Sequence, residues 1–502
     1  MGIEVRDLFL LSPQLGMAAV AVAVVLLDLL VKRKPLIVVV ALLGLLIPLV
    51  ASVTLWDVVN RQGAEVAFNG SLVVDEFALF FDFLIVGVLA LLLLAGTEYV
   101  ERFSPHQSEF VGLVLLSGAG LMLLPAAADL ITIYVALELA SLPVVALAAF
   151  LKAQNSSTEA AVKYLLLSAV SSAVLLYGFA FIYGATGTVR LFPGEGMEPS
   201  IAQALRAGGD GPFGGAAVMA GAVLATAGFG FKLSMVPFQM WTPDVYEGAP
   251  TPVVAFLAVA SKAAAFAVVM RLFYTALGPA SADWSLMFAG LAVATMTVGN
   301  VVAIAQSNVK RLLGYSTIAQ AGYMLIGVAS VAARTPGTTD DALGVSSVVF
   351  YLGGYAAMNL AAFFAVIAIT NRTGDDTIDG LAGMSKRAPL LAGVLAFAVL
   401  SLIGLPPTVG FMGKLFLFNA AVSADLWWLA VIGVLNSVVS AYYYLNIVRT
   451  MFLRPAEDDT RIGAPIPAQV ALAVTSAGVL VLGLWPGGLW AFAQTAAGGL
   501  LG

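Results

Sequence analysis

The 502-residue sequence contains no cysteine and a single histidine, His106. Without cysteine, the chain can form no disulfide and has no thiolate to ligate an iron–sulfur cluster. His106 lies in a polar loop, so no histidine at membrane depth is available for a haem or for a histidine-based metal site. The glycine-rich strand-turn-helix pattern of nucleotide-binding sites is also missing. We therefore expect neither a redox cofactor nor a metal site in this chain.

Charged residues are scarce as well. They make up 10% of the sequence, whereas hydrophobic residues make up 61% and the mean hydropathy is +1.00. A soluble domain carries about 25% charged residues. Apolar runs of about 20 residues, long enough to cross a bilayer, recur along the whole chain. The pattern predicts an all-α polytopic membrane protein with fourteen transmembrane helices, at about 9–31, 36–56, 77–96, 109–126, 128–151, 159–184, 214–242, 250–277, 284–305, 312–332, 345–370, 389–422, 427–453 and 466–492.

Positive charge predicts the orientation. The loop that holds Lys32, Arg33 and Lys34, and the other loops on its side, carry more Lys and Arg than the loops on the opposite side. Because positive loops stay in the cytoplasm, both termini are predicted on the outer face of a prokaryotic-type inner (plasma) membrane.

The helix pattern suggests an internal symmetry. Residues 109–277 (helices four to eight) and 284–453 (helices nine to thirteen) are nearly equal in length. Because each block has five helices, an odd number, the second block is inverted in the membrane relative to the first. The segments 1–108 and 454–502 flank them. Helices seven and twelve are both interrupted, because prolines leave free carbonyls inside them. Paired interrupted helices in inverted repeats indicate a transport site.

Four charged residues lie deep within apolar helices. Glu138 is about ten residues from either helix end, or about 15 Å deep. Lys232 and Lys262 are similarly central, and Lys414 follows the second interruption. A lysine in a membrane helix costs about 2.5–3.5 kcal/mol. A carboxylate that approaches or leaves a desolvated lysine would load and release a proton. The pattern therefore indicates proton transfer, with structural buried charges as the alternative.

Other ionisable residues have a simpler explanation. Lys163 is near a helix end and can pair with Glu159 one turn back, so it is either an interfacial lysine or part of a relay. Asp82 lies in an apolar run but is more typical of a structural acid. Asp244 and Glu247 follow helix seven and are expected to shape a cytoplasmic loop.

These residues lie in stretches that resemble the subunit N family of the proton-pumping NADH:quinone oxidoreductase, respiratory complex I, whose subunits N, M and L are antiporter-like. The matching stretches are KLSMVPFQMWTPDVYEGAPTPV at 232–253, KRLLGYSTIAQAGY at 310–323, GLPPTVGFMGK at 404–414, ELASLP at 138–143 and EAAVKY at 159–164.

The resemblance implies a fourteen-helix antiporter-like fold with two inverted five-helix repeats. It also implies which residues form the proton pathway: Glu138, Lys232, Lys262 and Lys414, with Lys163 as a further relay lysine. Lys262 favours N, because the sister subunits L and M typically carry histidine at that position. Gln320 stands where the family often has a histidine, and it cannot titrate.

The resemblance also implies partners. NAD, FMN, iron–sulfur clusters and quinone are expected in other subunits. The chain itself is expected to contact antiporter-like and small membrane subunits, the lipid bilayer and protons, and no nucleic acid. Protons would arrive from the cytoplasm near Lys262, pass Lys232 and leave near Lys414. The rival functions are a subunit of a multi-subunit sodium/proton antiporter or membrane-bound hydrogenase, and a structural membrane scaffold.

Overall fold

The computed structural model describes residues 4–30, 35–101, 103, 106–193, 199–207, 214–331, 342–456 and 460–501. The positive cluster Lys32, Arg33 and Lys34, on which the predicted orientation depends, lies outside the described residues. The only strands in these ranges are Glu65–Ala67 and Leu72–Val74, which form a small antiparallel hairpin.

α-Helices make up most of the remaining backbone in these ranges. They are α1 (Val5–Leu10), α2 (Ser12–Asp28), α3 (Pro35–Gly44), α4 (Leu46–Gln62), α5 (Glu76–Glu101), α6 (Gln107–Ala126), α7 (Leu130–Ala148), α8 (Asn155–Thr186), α9 (Ile201–Arg206), α10 (Gly214–Leu233), α11 (Trp241–Gly248), α12 (Thr251–Phe256), α13 (Lys262–Met270), α14 (Ser281–Ala303), α15 (Val309–Ala329), α16 (Leu343–Thr373), α17 (Met384–Arg387), α18 (Pro389–Ile403), α19 (Val409–Ser423), α20 (Trp427–Leu453), α21 (Ile466–Leu484) and α22 (Gly487–Leu501).

The predicted fold class is confirmed. Within the described residues, 12 helices are long and apolar enough to cross a membrane. The two other predicted helices are shorter apolar segments: α2, and a helix that is broken into α18 and α19. Proline and glycine at 404–407 explain that break, because neither residue supports a continuous helix.

The span Thr251–Ala276 is buried throughout, and α15 and α16 are almost as deeply buried. This central span is not a regular α-helix. π-helical turns at Leu257–Ser261 and Arg271–Ala276 flank α13. Such turns shift the side chains that follow and are frequent at functional sites. The first of them places Lys262 at the start of α13.

A buried ion pair fixes the far end of this span. Arg271 bonds the Asp75 carboxylate at 2.5 and 2.9 Å, and its guanidinium also donates to the carbonyl of Pro125. Asp75 is 1% exposed and Arg271 0%. The pair therefore joins the start of α5 and the end of α6 to the central span.

One pattern of backbone contacts occurs twice in the chain. The Asp129 side chain caps α7 by accepting from the Thr132 amide, and the Asn308 side chain caps α15 by accepting from the Arg311 amide. Each cap is followed by an antiparallel contact with a later loop. Leu130 N donates to Val189 O at 3.0 Å, and Val309 N donates to Asp376 O at 2.8 Å.

Close helix contacts recur in the same two places. A Cβ on Gly120 of α6 would lie 2.5 Å from the Ala140 amide nitrogen of α7. A Cβ on Gly299 of α14 would lie 2.6 Å from the Ala319 amide nitrogen of α15. Only glycine permits both approaches.

The two helix breaks both contain a residue with positive φ, but their lysines lie on opposite sides of the break in the sequence. α10 ends before Ser234, which has φ 58°, and α18 ends before Gly404, which has φ 95°. Lys232 precedes the first break, whereas Lys414 follows the second. Both helices were predicted to be interrupted, but their lysines differ in position relative to the breaks.

Candidate functional site

Lys232 lies one residue from the end of α10 and is 8% exposed. Its Nζ donates a hydrogen bond to Tyr164 Oη at 2.8 Å and lies 5.3 Å from the centre of that ring. Tyr164, on α8, is fully buried. The ammonium group is thus held inside the bundle by a hydroxyl and an aromatic face, which attract a cation without neutralising it.

Lys262 is 1% exposed and donates to the backbone carbonyl of Thr317 at 2.8 Å. The hydroxyl of Tyr355 on α16 donates to Thr317 Oγ1 at 3.2 Å, and Asn359 Nδ2 donates to Tyr355 Oη at 3.0 Å. Lys262 is therefore next to a chain of neutral polar groups that joins α15 to α16.

Lys414 is 4% exposed and contacts the end of the broken helix. Its Nζ donates to the carbonyls of Leu402 and Ile403 at 3.1 and 2.8 Å and to Ser437 Oγ at 3.1 Å. It also lies 4.2 Å from the centre of the Tyr323 ring. The last carbonyls of a helix have no partner within the helix, so the break itself creates this cation site.

Gln320 links this site to α16. Its Nε2 donates to the Leu402 carbonyl at 3.0 Å, and its Oε1 accepts from Tyr351 Oη at 2.5 Å. Gln320 is 1% exposed. Gln320 cannot titrate, so the sequence predicts a gap at this position in the proton pathway. In the structure, it bridges a tyrosine to the carbonyl that also binds Lys414.

Several buried polar atoms beside the first break have no hydrogen-bond partner among the described residues. They are Ser234 Oγ, Gln239 Oε1, Thr242 Oγ1 and Tyr246 Oη. The Tyr246 ring packs between Gly314 of α15, one turn before Thr317, and Trp241, whose ring packs against Tyr164. It therefore occupies the region between the Lys232 and Lys262 sites. Buried polar groups without protein partners typically bind water.

Glu138 differs from the expectation. It lies mid-helix in α7 as predicted, but it is only half-buried and shares a face with Ile131, Val135 and Leu142, which are 55–62% exposed. It forms no ion pair with Lys232 and acts on Lys232 and Tyr164 through space. An apolar helix gives no sequence signal for this orientation, because no polar stripe marks the outward face.

Lys163 lies apart from the buried row. Its Nζ pairs with Glu159 and Asp244, each at 2.6 Å, and its side chain is 39% exposed. The pairing with Glu159 is the interfacial arrangement considered above. Tyr164, the next residue on α8, faces Lys232 instead, so α8 joins the surface cluster to the interior.

Asp244 and Glu247 both bind Arg311 of α15, each at 2.8 Å. Both acids lie in the short helix α11, where a loop was expected, and their ion pairs join α11 to α15. Partial burial acts to raise the pKa of Asp244, but hydrogen bonds from Lys163 and Arg311 outweigh it and lower that pKa below its ordinary value.

In the part of the chain that the structure describes, no group of three or more His, Cys, Asp or Glu side chains is placed to hold a metal ion. Asp82 is buried 3.4 Å from Gln14 Nε2, in the N-terminal helices. Lys232, Lys262 and Lys414 each donate to neutral oxygens, at three separate sites. Two tyrosines that contact these lysines, Tyr164 and Tyr323, lie in the matched stretches. Tyr351 and Tyr355, which contact Gln320 and Thr317, were missed by sequence reasoning.

Comparison with known proteins gives a consistent result. Residues 127–440 match the family model described as NADH:quinone oxidoreductase/Mrp antiporter, TM. NADH-quinone oxidoreductase subunit N of Dehalococcoides mccartyi is 42% identical over 484 residues, which cover 96% of each protein. F(420)H(2) dehydrogenase subunit N of Methanosarcina mazei is 38% identical over 496 residues, again 96% of each.

A chain of respiratory complex I from Thermus thermophilus has a similar structure, with a TM-score of 0.76 and 33% sequence identity. The similarity covers 95% of this chain and 98% of that one. The chain therefore belongs to the NADH-quinone oxidoreductase subunit N family, within the wider group of complex I and Mrp antiporter membrane subunits.

Proposed function

We propose that this chain translocates protons through its row of buried lysines, driven by quinone reduction in other subunits of an NADH:quinone oxidoreductase. One observation carries the proposal. Lys232, Lys262 and Lys414 are all buried, and each donates only to neutral oxygens in the described part of the chain. A lysine without a fixed carboxylate partner can exist both charged and neutral, whereas arginine stays charged.

Protons reach Lys262 from the cytoplasmic side in this proposal. The polar atoms without partners at Thr242 and Tyr246 lie in α11, the helix that also carries the ion-paired Asp244, and would be bridged by water. Tyr246 and Thr317 then join the Lys262 site to Tyr164 and Lys232. Hydroxyl groups suit this role because each can donate and accept a hydrogen bond at once.

Release occurs at Lys414, on the side of the second break that leads outward. Gln320 connects Lys414 to Tyr351 through the Leu402 carbonyl, so the connection between the two halves is made by hydroxyl and amide groups and by water rather than by a second titratable side chain. Glu138, on the partly exposed face of α7, sets the charge state of Lys232. Lys163 would act at the entrance of the pathway as a fixed positive charge, because Glu159 and Asp244 both pair with it and favour its protonated form.

We also propose that residues 109–277 and 284–453 are inverted repeats, flanked by 1–108 and 454–502. The recurring caps on α7 and α15, with their matching loop contacts, support this division. The chain would lie in a prokaryotic inner membrane with both termini outside. Antiporter-like and small membrane subunits would contact it, while NAD, FMN, iron–sulfur clusters and quinone would be bound elsewhere in the complex.

Isolation of the tagged chain with its neighbours tests this function. We expect subunits with NADH and quinone sites to co-purify, and vesicles with the reconstituted complex to acidify when NADH is oxidised. Acidification should be the same with and without sodium, because sodium coordination needs clustered carboxylates that the lysine row lacks. Acidification that requires sodium would favour the antiporter function, and an isolated chain without redox partners would contradict the proposal.

A further inference from the structure

A basic pocket lies at one end of the second helix block, away from the lysine row. It is a cavity of about 540 Å³ lined by Arg372, Arg387, Thr460 and Arg461 and by the segment 462–465. A Cβ on Gly463 would meet nothing within 4 Å, so the pocket is open there. Three arginines around one cavity are a feature that the proposed function does not use.

The fold explains why the arginines converge. Helices α16, α18 and α21 pack against one another. Arg372 is the penultimate residue of α16, Arg387 lies two residues before α18, and Arg461 lies five residues before α21. The three arginines therefore mark the level at which three apolar helices end. At that level the headgroups of a bilayer are found.

Hydrogen bonds hold the pocket in shape. Arg387 Nε donates to Thr460 O at 3.2 Å, and Ile462 N donates to Arg387 O at 2.9 Å. Arg372 pairs with Glu98 of α5 at 2.7 Å. Arg461 forms no ion pair with any described residue and is exposed. Its guanidinium therefore has donors available to an anion, and a guanidinium fork matches phosphate oxygens well.

An apolar surface continues directly from the pocket. Leu390, at the start of α18, is 55% exposed, and Ile466 and Val470 of α21 are 75% and 46% exposed. A ligand with a phosphate at one end and hydrocarbon at the other would contact both surfaces. A free phosphate would contact only the arginines.

We propose that this pocket binds the headgroup of an anionic phospholipid, with its acyl chains along the exposed faces of α18 and α21. Basic pockets between transmembrane helices bind such headgroups on the cytoplasmic side of a membrane. The site is independent of proton transfer, so either proposal can fail without the other.

Structure determination of the assembled complex in nanodiscs tests the site directly. One sample contains phosphatidylglycerol, and a second contains only phosphatidylcholine with added inorganic phosphate. We expect, in the first sample, a phosphate within hydrogen-bond distance of Arg461 and at least one other arginine, with acyl density beside Ile466. An empty pocket in phosphatidylglycerol contradicts the proposal. A phosphate without acyl chains, bound equally in both samples, would identify a free-anion site instead.

The amount of phosphatidylglycerol retained by the delipidated complex gives a second measurement. Arg461→Gln removes one charged donor and should weaken retention at this site about tenfold, the effect expected for a hydrogen bond to a charged group. Lys386→Gln is the matched control, because Lys386 is an exposed neighbour that does not line the pocket. Equal losses in both variants, or no loss in Arg461→Gln, would overturn the proposal. NADH oxidation by each variant shows that the complex has assembled.

Discussion

Gln320 and Lys414 donate hydrogen bonds to the same backbone oxygen, that of Leu402, at 3.0 and 3.1 Å. The oxygen is available because α18 ends at Ile403, so its last carbonyls have no helical partner. Oε1 of the same Gln320 amide accepts a hydrogen bond from the Tyr351 hydroxyl. A side chain without charge thus joins α16 to the lysine site through a carbonyl oxygen that accepts from both donors at once.

This shared carbonyl makes Gln320 a sensitive position. Gln320→Leu removes both hydrogen bonds and leaves Tyr351 without its acceptor, so we expect proton pumping to fall about tenfold, as for a loss of roughly 1.4 kcal/mol. Gln320→His can still donate and accept, and should retain pumping near neutral pH. Because free histidine titrates at about pH 6.5, pumping by this variant should decline below that pH more steeply than in the wild type.

Gln469→Leu is the control for this prediction, since Gln469 is exposed and donates only to the nearby Ala464 carbonyl. The measurement is vesicle acidification per NADH oxidised, between pH 5.5 and 8. Identical pH profiles for the wild type and Gln320→His, together with full activity of Gln320→Leu, would show that the bridge has no part in transfer.

Glu138 should influence pumping without being needed for folding. Its carboxylate is half-buried and acts on Lys232 through space. Glu138→Gln therefore keeps the packing but removes the negative charge that acts on Lys232. We expect a loss of pumping of about tenfold in a complex that assembles normally. Glu101→Gln, at the exposed end of α5, is the matched change and should have no effect. Full pumping by assembled Glu138→Gln complex would exclude the proposed role.

Asp244 should stabilise helix α11 in a pH-dependent way. Its pKa in the folded state is lowered by Lys163 and Arg311, so its stabilising contribution is complete above the unfolded pKa of about 3.9 and is lost as the pH falls through the lower folded value. Asp244→Asn should therefore destabilise α11 at neutral pH, by about 0.5–1 kcal/mol for a partly exposed pair.

The amide hydrogen exchange of Trp241–Gly248 measures this effect. The variant should exchange faster than the wild type at pH 5 to 7, and the two should converge as the pH is lowered below about 4. A difference in exchange rate that grows towards acid pH would contradict the prediction that Asp244 stabilises α11 through its ionised form.

The Arg271–Asp75 pair is expected to be structural. Asp75→Ala leaves a buried guanidinium without its carboxylate, which should cost about 3–5 kcal/mol and reduce the amount of assembled protein. The double variant Asp75→Leu with Arg271→Met should recover part of this loss, because the unpaired charge is gone. Thermal unfolding of the purified complex measures both effects. The exposed pair of Arg61 and Asp57 is the control, and its removal should cost less than about 1 kcal/mol. A double variant less stable than Asp75→Ala would contradict this explanation.

The helices could be predicted from the sequence because each apolar run is long enough to span a bilayer and proline marks both breaks. The burial of Lys232, Lys262 and Lys414 was also predictable, since their depth excludes contact with headgroups. The outward orientation of Glu138 was not, because α7 is apolar on all sides. The sequence also gave no reason to place Tyr351 and Tyr355 near the lysine sites. A tyrosine in an apolar run is compatible with any face of its helix, and only tertiary packing decides which one it takes.

The central claim is that the buried lysines change their charge during turnover. Lys232→Arg tests it most directly, because arginine keeps a positive charge and hydrogen-bond donors for Tyr164 but cannot release its proton. Lys386→Arg is the control for the same chemical change at an exposed site. The measurement is vesicle acidification per NADH oxidised by assembled complex at pH 7. We expect the complex with Lys232→Arg to lose most of its pumping and the complex with Lys386→Arg to keep it. Normal pumping by Lys232→Arg would contradict the account and favour a lysine row that only holds the subunit together.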